Sequence, residues 1–191
     1  MPEHTTGSAP TPPAGLDRRR FLNGCAALAT GALLAPAVLR AAPHDAYHLN
    51  LLNLHTDERL NVTFWADGAF DPDALGRIDH LLRDHRSDEQ HPIDRALLHL
   101  LHRLQEQVGR HREIHVISGY RSPKTNAMLR RVSNGVAKRS FHTQGRAIDV
   151  RVPQVATQQL YELARNLRGG GVGLYRKSAF VHLDTGRVRS W

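Results

Sequence analysis

Apolar residues recur at two different spacings along this chain, and each spacing predicts a different secondary structure. Between Tyr47 and Trp65 they alternate with other residues at Leu60, Val62 and Phe64. Alternation is typical of a strand with one buried face, and Thr56-Asp57-Glu58 supplies turn residues within the segment. The segment is therefore predicted to be a β-hairpin.

Helices are predicted where apolar residues lie three or four positions apart. The first begins at Asp71-Pro72, an N-cap followed by a first-turn proline, and the second begins near Pro92. Ser122-Pro123 can cap a third, and a fourth runs from about Gln154 to Leu167 and ends at Gly169-Gly170-Gly171. Their apolar positions are, in chain order, Leu75, Ile78 and Leu82; Leu97, Leu101, Leu104 and Val108; Met128 and Leu129; and Leu160, Leu163, Ala164 and Leu167.

Short apolar runs between and after these helices predict further strands. They are Glu113–Ile117, Arg146–Val152, Val172–Tyr175 and Phe180–Asp184, the last two joined by Arg176-Lys177-Ser178. Helices that precede and separate such strands predict an α+β fold. We expect a single domain with a mainly antiparallel sheet, flanked by helices, whose face carries the functional site.

The N-terminal region differs in composition and predicts an export signal. Residues 1–16 are rich in Pro, Thr, Gly and Ala without an apolar period, which is typical of disorder. Arg18-Arg19-Arg20-Phe21-Leu22 and the apolar run Gly24–Leu39 follow, the pattern of a twin-arginine signal. A membrane anchor is the alternative, but the run is short and rich in Ala and Gly. We expect residues 1–42 to be the signal and residues 43–191 to be a periplasmic domain without a stable membrane span.

Cys25 is the only cysteine of the chain, and it lies within the predicted signal. The exported domain would then contain no disulfide and no thiolate nucleophile. Any zinc ligands in that domain must therefore be His and carboxylate side chains.

The formal charge of the chain is +8, and loss of residues 1–42 would remove four basic and two acidic residues. The exported domain stays basic, which favours contact with anionic wall polymers or membrane headgroups. Nucleic-acid binding is the competing explanation of the charge. It is not favoured, because export separates the protein from most nucleic acid and the sequence has no basic-aromatic recognition motif.

Two histidines and one aspartate carry the strongest chemical pattern. His142 precedes Asp149 by seven residues, and His182 lies among apolar residues in Phe180–Asp184. Asp149 would face inward on its strand, where an unpaired carboxylate is destabilised. A metal ion is one partner, because two His and one carboxylate with an open position for water form a catalytic zinc site. The alternative is that no metal binds. His142 would then be a loop residue, Asp149 would pair with an arginine, and His182 would be buried in the core with its hydrogen bonds made.

The other histidines are weaker candidates for ligands. The chain has 13 His, so accidental proximity to acidic residues is common. Those in and near the predicted helices are expected to be exposed positions rather than ligands, namely His80, His85, His99, His102 and His111.

Arg121 follows the predicted strand Glu113–Ile117 and precedes the helix capped by Ser122. A change from strand to helix directs a side chain into a cleft, and a guanidinium binds a carboxylate through two parallel hydrogen bonds. The alternative is a structural salt bridge to an aspartate. The basic loop Ser133–Arg139 is predicted to border the same cleft.

Three ordered motifs resemble the zinc peptidases of bacterial cell walls: Ser118-Gly119-Tyr120-Arg121-Ser122, Ser140-x-His142-x-x-Gly145-x-Ala147-x-Asp149, and Phe180-Val181-His182-Leu183-Asp184. That superfamily contains D-alanyl-D-alanine metallopeptidases, lysostaphin-type enzymes and the hedgehog signalling domain. Within it the chain is most similar to the YcbK-like murein endopeptidases over about residues 46–191. The further matching segments are Asn53-Leu54-His55-Thr56, Gly135-Val136-Ala137-Lys138 and the ending from Asp184-Thr185-Gly186 to Trp191.

The resemblance implies one zinc ion per chain, bound by His142, Asp149 and His182. It implies that Arg121 contacts the substrate or orients the site, and in the expected reaction Arg121 would help zinc to stabilise the developing oxyanion. The motif residues Tyr120 and Ser140 are predicted substrate contacts.

The substrate implied by the resemblance is peptidoglycan. An endopeptidase would cut its cross-links during wall growth, between two meso-diaminopimelate residues or at D-alanyl-diaminopimelate links. The alternatives are a D,D- or L,D-carboxypeptidase and a non-catalytic zinc module that binds the wall. The sequence predicts no oligomeric state.

The chain departs from many relatives at the position of the general base. Several branches of the superfamily have Glu or Asp three residues before the last ligand, or His two before it, and here these positions are Ala179 and Phe180. Asp184 follows His182 by two residues on the same face of a strand. It is predicted either to be the base or to orient the His182 imidazole.

Overall fold

In the computed structural model, which describes residues 46–133 and 135–191, eight strands form one sheet. The strands are β1 Tyr47–Asn53, β2 Arg59–Ala66, β3 Ala69–Phe70, β4 Ile114–Ser118, β5 Ala147–Arg151, β6 Gly171–Tyr175, β7 Phe180–Asp184 and β8 Arg189–Ser190. Their order across the sheet is β3-β2-β1-β4-β5-β7-β6-β8. The β1–β4 and β6–β8 pairs are parallel and the other pairs are antiparallel.

The helices are α1 Pro72–Leu81, α2 Arg95–Val108, α3 Pro123–Val132 and α4 Thr157–Asn166, with a short 3-10 helix at Phe141–Gln144. Helix α1 packs on β2, α2 on β1, and α4 on β6 and β7. The α+β class, the mainly antiparallel sheet and the flanking helices confirm the prediction. The predicted export signal at residues 1–42 lies outside the described residues. In the ranges described, no helix is both long and apolar enough to cross a membrane.

The N-terminal hairpin forms as its alternating pattern predicts. Leu51 of β1 pairs with Leu60 of β2, and the side chains of Leu51 and Phe64 are fully buried. The turn places Asp57 at φ 57°, a left-handed conformation that Asp tolerates better than most residues. The amide of Asn53 donates to the carbonyl of Glu58 at 2.9 Å, which closes the turn.

Two helices begin later than predicted, because local hydrogen bonds and backbone conformation set their starts. Helix α2 begins at Arg95 rather than near Pro92, since the Asp94 carboxylate caps it by accepting from the Ala96 amide at 3.0 Å. Helix α4 begins at Thr157 rather than near Gln154, which has φ 63° and lies in a turn.

The prediction of exposed helix histidines is confirmed for His80 and His111 and is wrong for His102. The His102 ring stacks on Tyr47 with 4.7 Å between centroids, and the residue is 8% exposed. His99 is half-buried in the same helix, and His85 is half-buried in a turn after α1. Helical periodicity did not identify these positions, because strand β1 and the β2–β3 segment pack against α2.

Strand β5 lies between β4 and β7, and its residues from Ala147 to Val150 are all buried, on both faces of the strand. Ile148 and Val150 point into the apolar core, whereas Asp149, which was predicted to face inward, points to the other face and lines a cavity. In the register of the sheet, Asp149 is opposite His182 of β7 and Ser118 of β4. The sheet therefore brings an acidic and an imidazole side chain together from segments distant in sequence.

Asp84 connects the turn after α1 to the start of α3. Its carboxylate is 1% exposed and accepts hydrogen bonds from the backbone amides of Arg86 at 3.0 Å and Ser122 at 2.9 Å. The Ser122 hydroxyl in turn accepts from the Thr125 amide at 3.2 Å, the cap predicted for this helix. Burial acts to raise the pKa of Asp84, but hydrogen bonds from Thr125, Arg86 and Ser122 outweigh burial and hold that pKa well below its usual range.

We predict that Asp84→Asn lowers the free energy of unfolding at pH 7 by about 2 kcal/mol, because one buried acceptor is replaced by a donor. A carboxyl with a depressed folded-state pKa stabilises the protein above its unfolded pKa of about 3.9, and this contribution is lost as the pH falls further. Urea unfolding at several pH values should therefore show a difference from wild type that shrinks below about pH 4. Asp73→Asn, at an exposed position of α1, is the control; an equal loss in both variants, or a pH-independent loss, would contradict the prediction.

Candidate metal centre

Three different elements bring the predicted metal ligands together. His142 lies in the 3-10 helix before β5, Asp149 lies in β5, and His182 lies in β7. All three side chains line one cavity of about 530 Å³. His142 is 3% exposed and Asp149 is 7% exposed, so two of the three are removed from bulk water.

The nitrogen and oxygen atoms of these residues form a small triangle. His142 Nε2 lies 3.3 Å from His182 Nδ1, His182 Nδ1 lies 2.8 Å from Asp149 Oδ1, and His142 Nε2 lies 3.4 Å from Asp149 Oδ1. A tetrahedral zinc ion with bonds of about 2.0–2.1 Å has ligand atoms roughly 3.3 Å apart. The donor set and its spacing therefore fit zinc.

Each imidazole is held in place through the ring nitrogen that lies outside the triangle. His142 Nδ1 faces the backbone carbonyl of Gly119 at 2.8 Å, and His182 Nε2 faces Asp184 Oδ2 at 3.1 Å. A proton on those nitrogens leaves His142 Nε2 and His182 Nδ1 with lone pairs directed at the centre of the triangle. Gly119 allows this arrangement because a Cβ at its position would lie 2.5 Å from the Leu82 carbonyl oxygen.

Asp184 lies behind His182, on the Nε2 side of its ring, and is also among the residues that line the cavity. Its carboxylate is fully buried and is held by Arg189 through two hydrogen bonds of 2.9 and 2.6 Å. The amides of Gly171 and Gly186 donate to the same carboxylate at 3.2 and 2.8 Å. This saturation of both oxygens favours the orienting role over the role of general base.

The charged side chains of the site shift one another's pKa values. Burial acts to raise the pKa of Asp149, but the charges and hydrogen bonds of His142 and His182 outweigh it, and the pKa lies well below its usual range. Burial also raises the pKa of Asp184, and hydrogen bonds from His182 and Arg189 reverse this effect. Burial lowers the pKa of His182, whereas its hydrogen bonds to the two carboxylates raise it above the ordinary value. Both aspartates are therefore ionised at neutral pH, the form that binds or orients a cation.

Arg121 reaches the cavity from the junction of β4 and α3, as predicted. Its side chain is 12% exposed, yet its contacts are long: 3.4 Å to Asn126 Oδ1, 3.3 Å to Ser118 Oγ and 3.9 Å to Asp149 Oδ2. Its Nε atom is buried without a hydrogen-bond partner. A buried guanidinium with such weak pairing has donors available for an anionic or carbonyl group in the cavity.

Only some of the residues in the cavity wall were predicted from the sequence. Ser140 lines the cavity, together with described residues of the loop that was predicted to border it, namely Ser133, Gly135, Val136, Ala137 and Arg139. Tyr120 is not one of the lining residues; it is 7% exposed and stacks on His91 with 4.8 Å between ring centroids. Its predicted substrate contact is therefore not supported by the geometry, because its side chain packs in the core.

Part of the cavity wall is aromatic, and this part was not predicted from the sequence. It consists of Tyr175, Phe180 and Trp191, with Tyr175 and Phe180 stacked at 4.5 Å between ring centroids. The Trp191 ring lies 5.4 Å from the His182 ring and against Gly173, where a Cβ would come within 2.6 Å of the indole. Tyr175 and Phe180 stand at facing ends of two predicted strands, which was the available signal in the sequence.

An α+β domain that brings two His and one Asp together from three elements agrees with the class that the three motifs indicated, the cell-wall peptidase superfamily. Comparison with known proteins specifies the family. A family model described as peptidoglycan L,D-endopeptidase MepK matches residues 41–191. The chain belongs to this family.

Individual relatives agree with this assignment. The chain is 39% identical over 176 residues to peptidoglycan L,D-endopeptidase MepK of Escherichia coli strain K12, covering 92% of this chain and 97% of the relative. It is 45% identical over 144 residues to a Haemophilus influenzae protein named "Probable peptidoglycan L,D-endopeptidase MepK", covering 75% of this chain and 77% of the relative. No solved structure matches significantly.

We predict that Asp184→Asn weakens zinc binding by about 10–100-fold, because the amide loses the charge that holds the His182 imidazole in place. Competition with a chromophoric chelator measures the dissociation constant, and Asp88→Asn at an exposed position is the control. If Asp184→Asn bound zinc as wild type does but lost hydrolysis, the residue would be the general base instead.

Proposed function

We propose that this protein is a zinc-dependent peptidoglycan endopeptidase that hydrolyses peptide cross-links, between two meso-diaminopimelate residues, in wall growth or remodelling. The observation that carries the proposal is the His142–Asp149–His182 triangle, with edges of 2.8 to 3.4 Å, on the floor of a cavity. Membership of a family described as peptidoglycan L,D-endopeptidases supports the reaction and the substrate class.

His142, Asp149 and His182 would hold one zinc ion per chain. When bound, zinc supplies a Lewis acid that polarises the scissile carbonyl and lowers the pKa of a water molecule. Asp184, through its hydrogen bond to His182 Nε2, fixes the tautomer that directs Nδ1 to the ion. We therefore assign Asp184 as a positioning residue.

Arg121 is proposed to bind the charge that develops on the scissile carbonyl oxygen. Its side chain is largely buried, and its contacts with Asn126 and Ser118 are long. Donors in such a pre-organised position stabilise an oxyanion without reorganisation during the reaction. Ser140 lies on the cavity wall and is proposed as a further substrate contact.

The distribution of charge is consistent with an anionic polymer as substrate. Residues 114–148 contain basic side chains and no Asp or Glu. Within this stretch Arg139 lines the cavity and Lys138 is exposed beside it. Stem peptides of peptidoglycan carry free carboxylates, which such a surface attracts. With this substrate the protein is proposed to act outside the cytoplasm, after export by the twin-arginine route.

The proposal is tested by mass spectrometry of muropeptides released from purified sacculi after incubation with the protein. Loss of cross-linked dimers, its prevention by a chelator and its recovery with added zinc are the expected results. The masses of the products identify the bond that is cut. His182→Ala should abolish the loss of dimers, whereas His80→Ala, at an exposed histidine of α1, should not.

Two outcomes would contradict the endopeptidase assignment. Release of a single free amino acid, with dimers unchanged, would indicate a carboxypeptidase. Folded, zinc-loaded protein that bound sacculi but changed no muropeptide would indicate a wall-binding module.

We predict that Arg121→Lys lowers kcat/KM by about 10²–10³-fold, because lysine keeps the charge but loses the planar arrangement of donors. Zinc content should stay at the wild-type level, since Arg121 contacts Asp149 only at 3.9 Å. Arg77→Lys, at an exposed position of α1, is the matched control. Unchanged kinetics on cross-linked muropeptides would leave Arg121 with a structural role alone.

A further inference from the structure

A second group of side chains with metal-ligand chemistry lies outside the catalytic cavity. It consists of His48 of β1 with His102 and Glu106 of α2, and one nitrogen or oxygen atom of each residue lies within 4.8 Å of those of the other two. We infer that these three residues bind a divalent transition-metal ion, a second metal site that is independent of catalysis.

The backbone places these residues on a rigid support. His102 and Glu106 are four residues apart in α2 and therefore on one face of the helix. Gln105 lies between these two residues in the sequence and is fully buried. Its side-chain oxygen accepts a hydrogen bond from the Asn50 amide of β1 at 2.9 Å. Its amide group also donates to the Arg110 carbonyl at 3.0 Å. Helix α2, strand β1 and the turn after α2 are thus fixed relative to one another.

Both imidazoles have one nitrogen directed at a backbone carbonyl. His102 Nδ1 lies 3.2 Å from the His48 carbonyl oxygen, and His48 Nε2 lies 3.2 Å from the Arg110 carbonyl oxygen. Metal-binding histidines are typically held in this way, because a proton on one nitrogen fixes the lone pair of the other. His142 in the catalytic cavity has the same arrangement with Gly119.

One atom of the group lacks a partner. His48 Nδ1 is buried and has no hydrogen-bond partner in the structure. A buried polar atom without a partner is rare and indicates a bound water or ion. Stacking of His102 on Tyr47 explains why His102 is buried, but it explains neither the unpartnered His48 nitrogen nor the position of Glu106.

The charges around the group permit cation binding. Glu106 Oε1 lies 3.9 Å from His48 Nε2 and 3.8 Å from Arg110 Nε. Because the Arg110 carbonyl holds His48 Nε2, the nitrogen left to bind an ion is Nδ1, and Glu106, whose side chain is 39% exposed, would turn from Arg110 to share the ion with it. Two imidazoles and one carboxylate select zinc, cobalt, nickel or copper over magnesium and calcium.

The stoichiometry of metal binding tests this proposal without reference to peptidase activity. Metal-free full-length protein is dialysed against zinc alone, or cobalt alone, and the bound metal is measured by mass spectrometry. Wild type should bind two equivalents and His182→Ala one. In the His182→Ala background, Glu106→Gln should weaken the remaining site by at least about 10-fold, and His102→Ala should remove it. Glu162→Gln, at a half-buried position of α4, and His111→Ala, at an exposed position, are the matched controls and should change nothing.

A thermal measurement supplies the second readout. Zinc should raise the Tm of His182→Ala, because an ion bound only by the folded state stabilises it, and should not raise the Tm of His182→Ala with Glu106→Gln. Since Glu106 is exposed, that comparison remains valid if His102→Ala does not fold. Either of two results would overturn the inference: a single equivalent in wild type that disappears in His182→Ala, or a second equivalent that survives both Glu106→Gln and His102→Ala.

Discussion

The buried carboxylate of Asp149 is the constraint on which the organisation of the site depends. Asp149 lies on a central strand between the core residues Ile148 and Val150, on the face opposite to theirs, and it is 7% exposed. A carboxylate in such a place is strongly destabilised unless it is paired with cationic or hydrogen-bonding groups. The antiparallel register supplies His182 directly opposite, and the 3-10 helix supplies His142. The group that compensates this one charge is also the group that fits a metal ion.

Each of these histidines is fixed by a hydrogen-bond partner on the other side of its ring. The Gly119 carbonyl holds His142, and Asp184, itself held by Arg189 and two backbone amides, holds His182. Arg121 completes the site with donors that have only long contacts. The candidate ligands are therefore held in place and the Arg121 donors face the cavity, an arrangement suited to stabilising a charge without reorganisation during a reaction.

The same fold uses histidine for two different purposes. In the cavity the imidazoles face an ionised carboxylate, whereas on the α2–β1 side His102 also belongs to an aromatic cluster with Tyr47 and Phe64. Glu106 at the edge of that cluster distinguishes it from a purely apolar contact. Metal binding there would cross-link α2 to β1, at a distance in the sheet from the hydrolytic site.

The sequence by itself determined the secondary structure, the α+β class and the family, because alternation, helical spacing and three ordered motifs are local properties. It also indicated His142, Asp149 and His182, since their residue types and motifs are visible in one dimension. Only the tertiary structure decided that Tyr120 packs in the core, that His102 is buried and that Asp184 lies behind His182. It alone placed Tyr175 and Trp191 on the cavity wall. These outcomes depend on strand register and on which neighbour covers each face, and both are set by contacts between residues far apart in the chain.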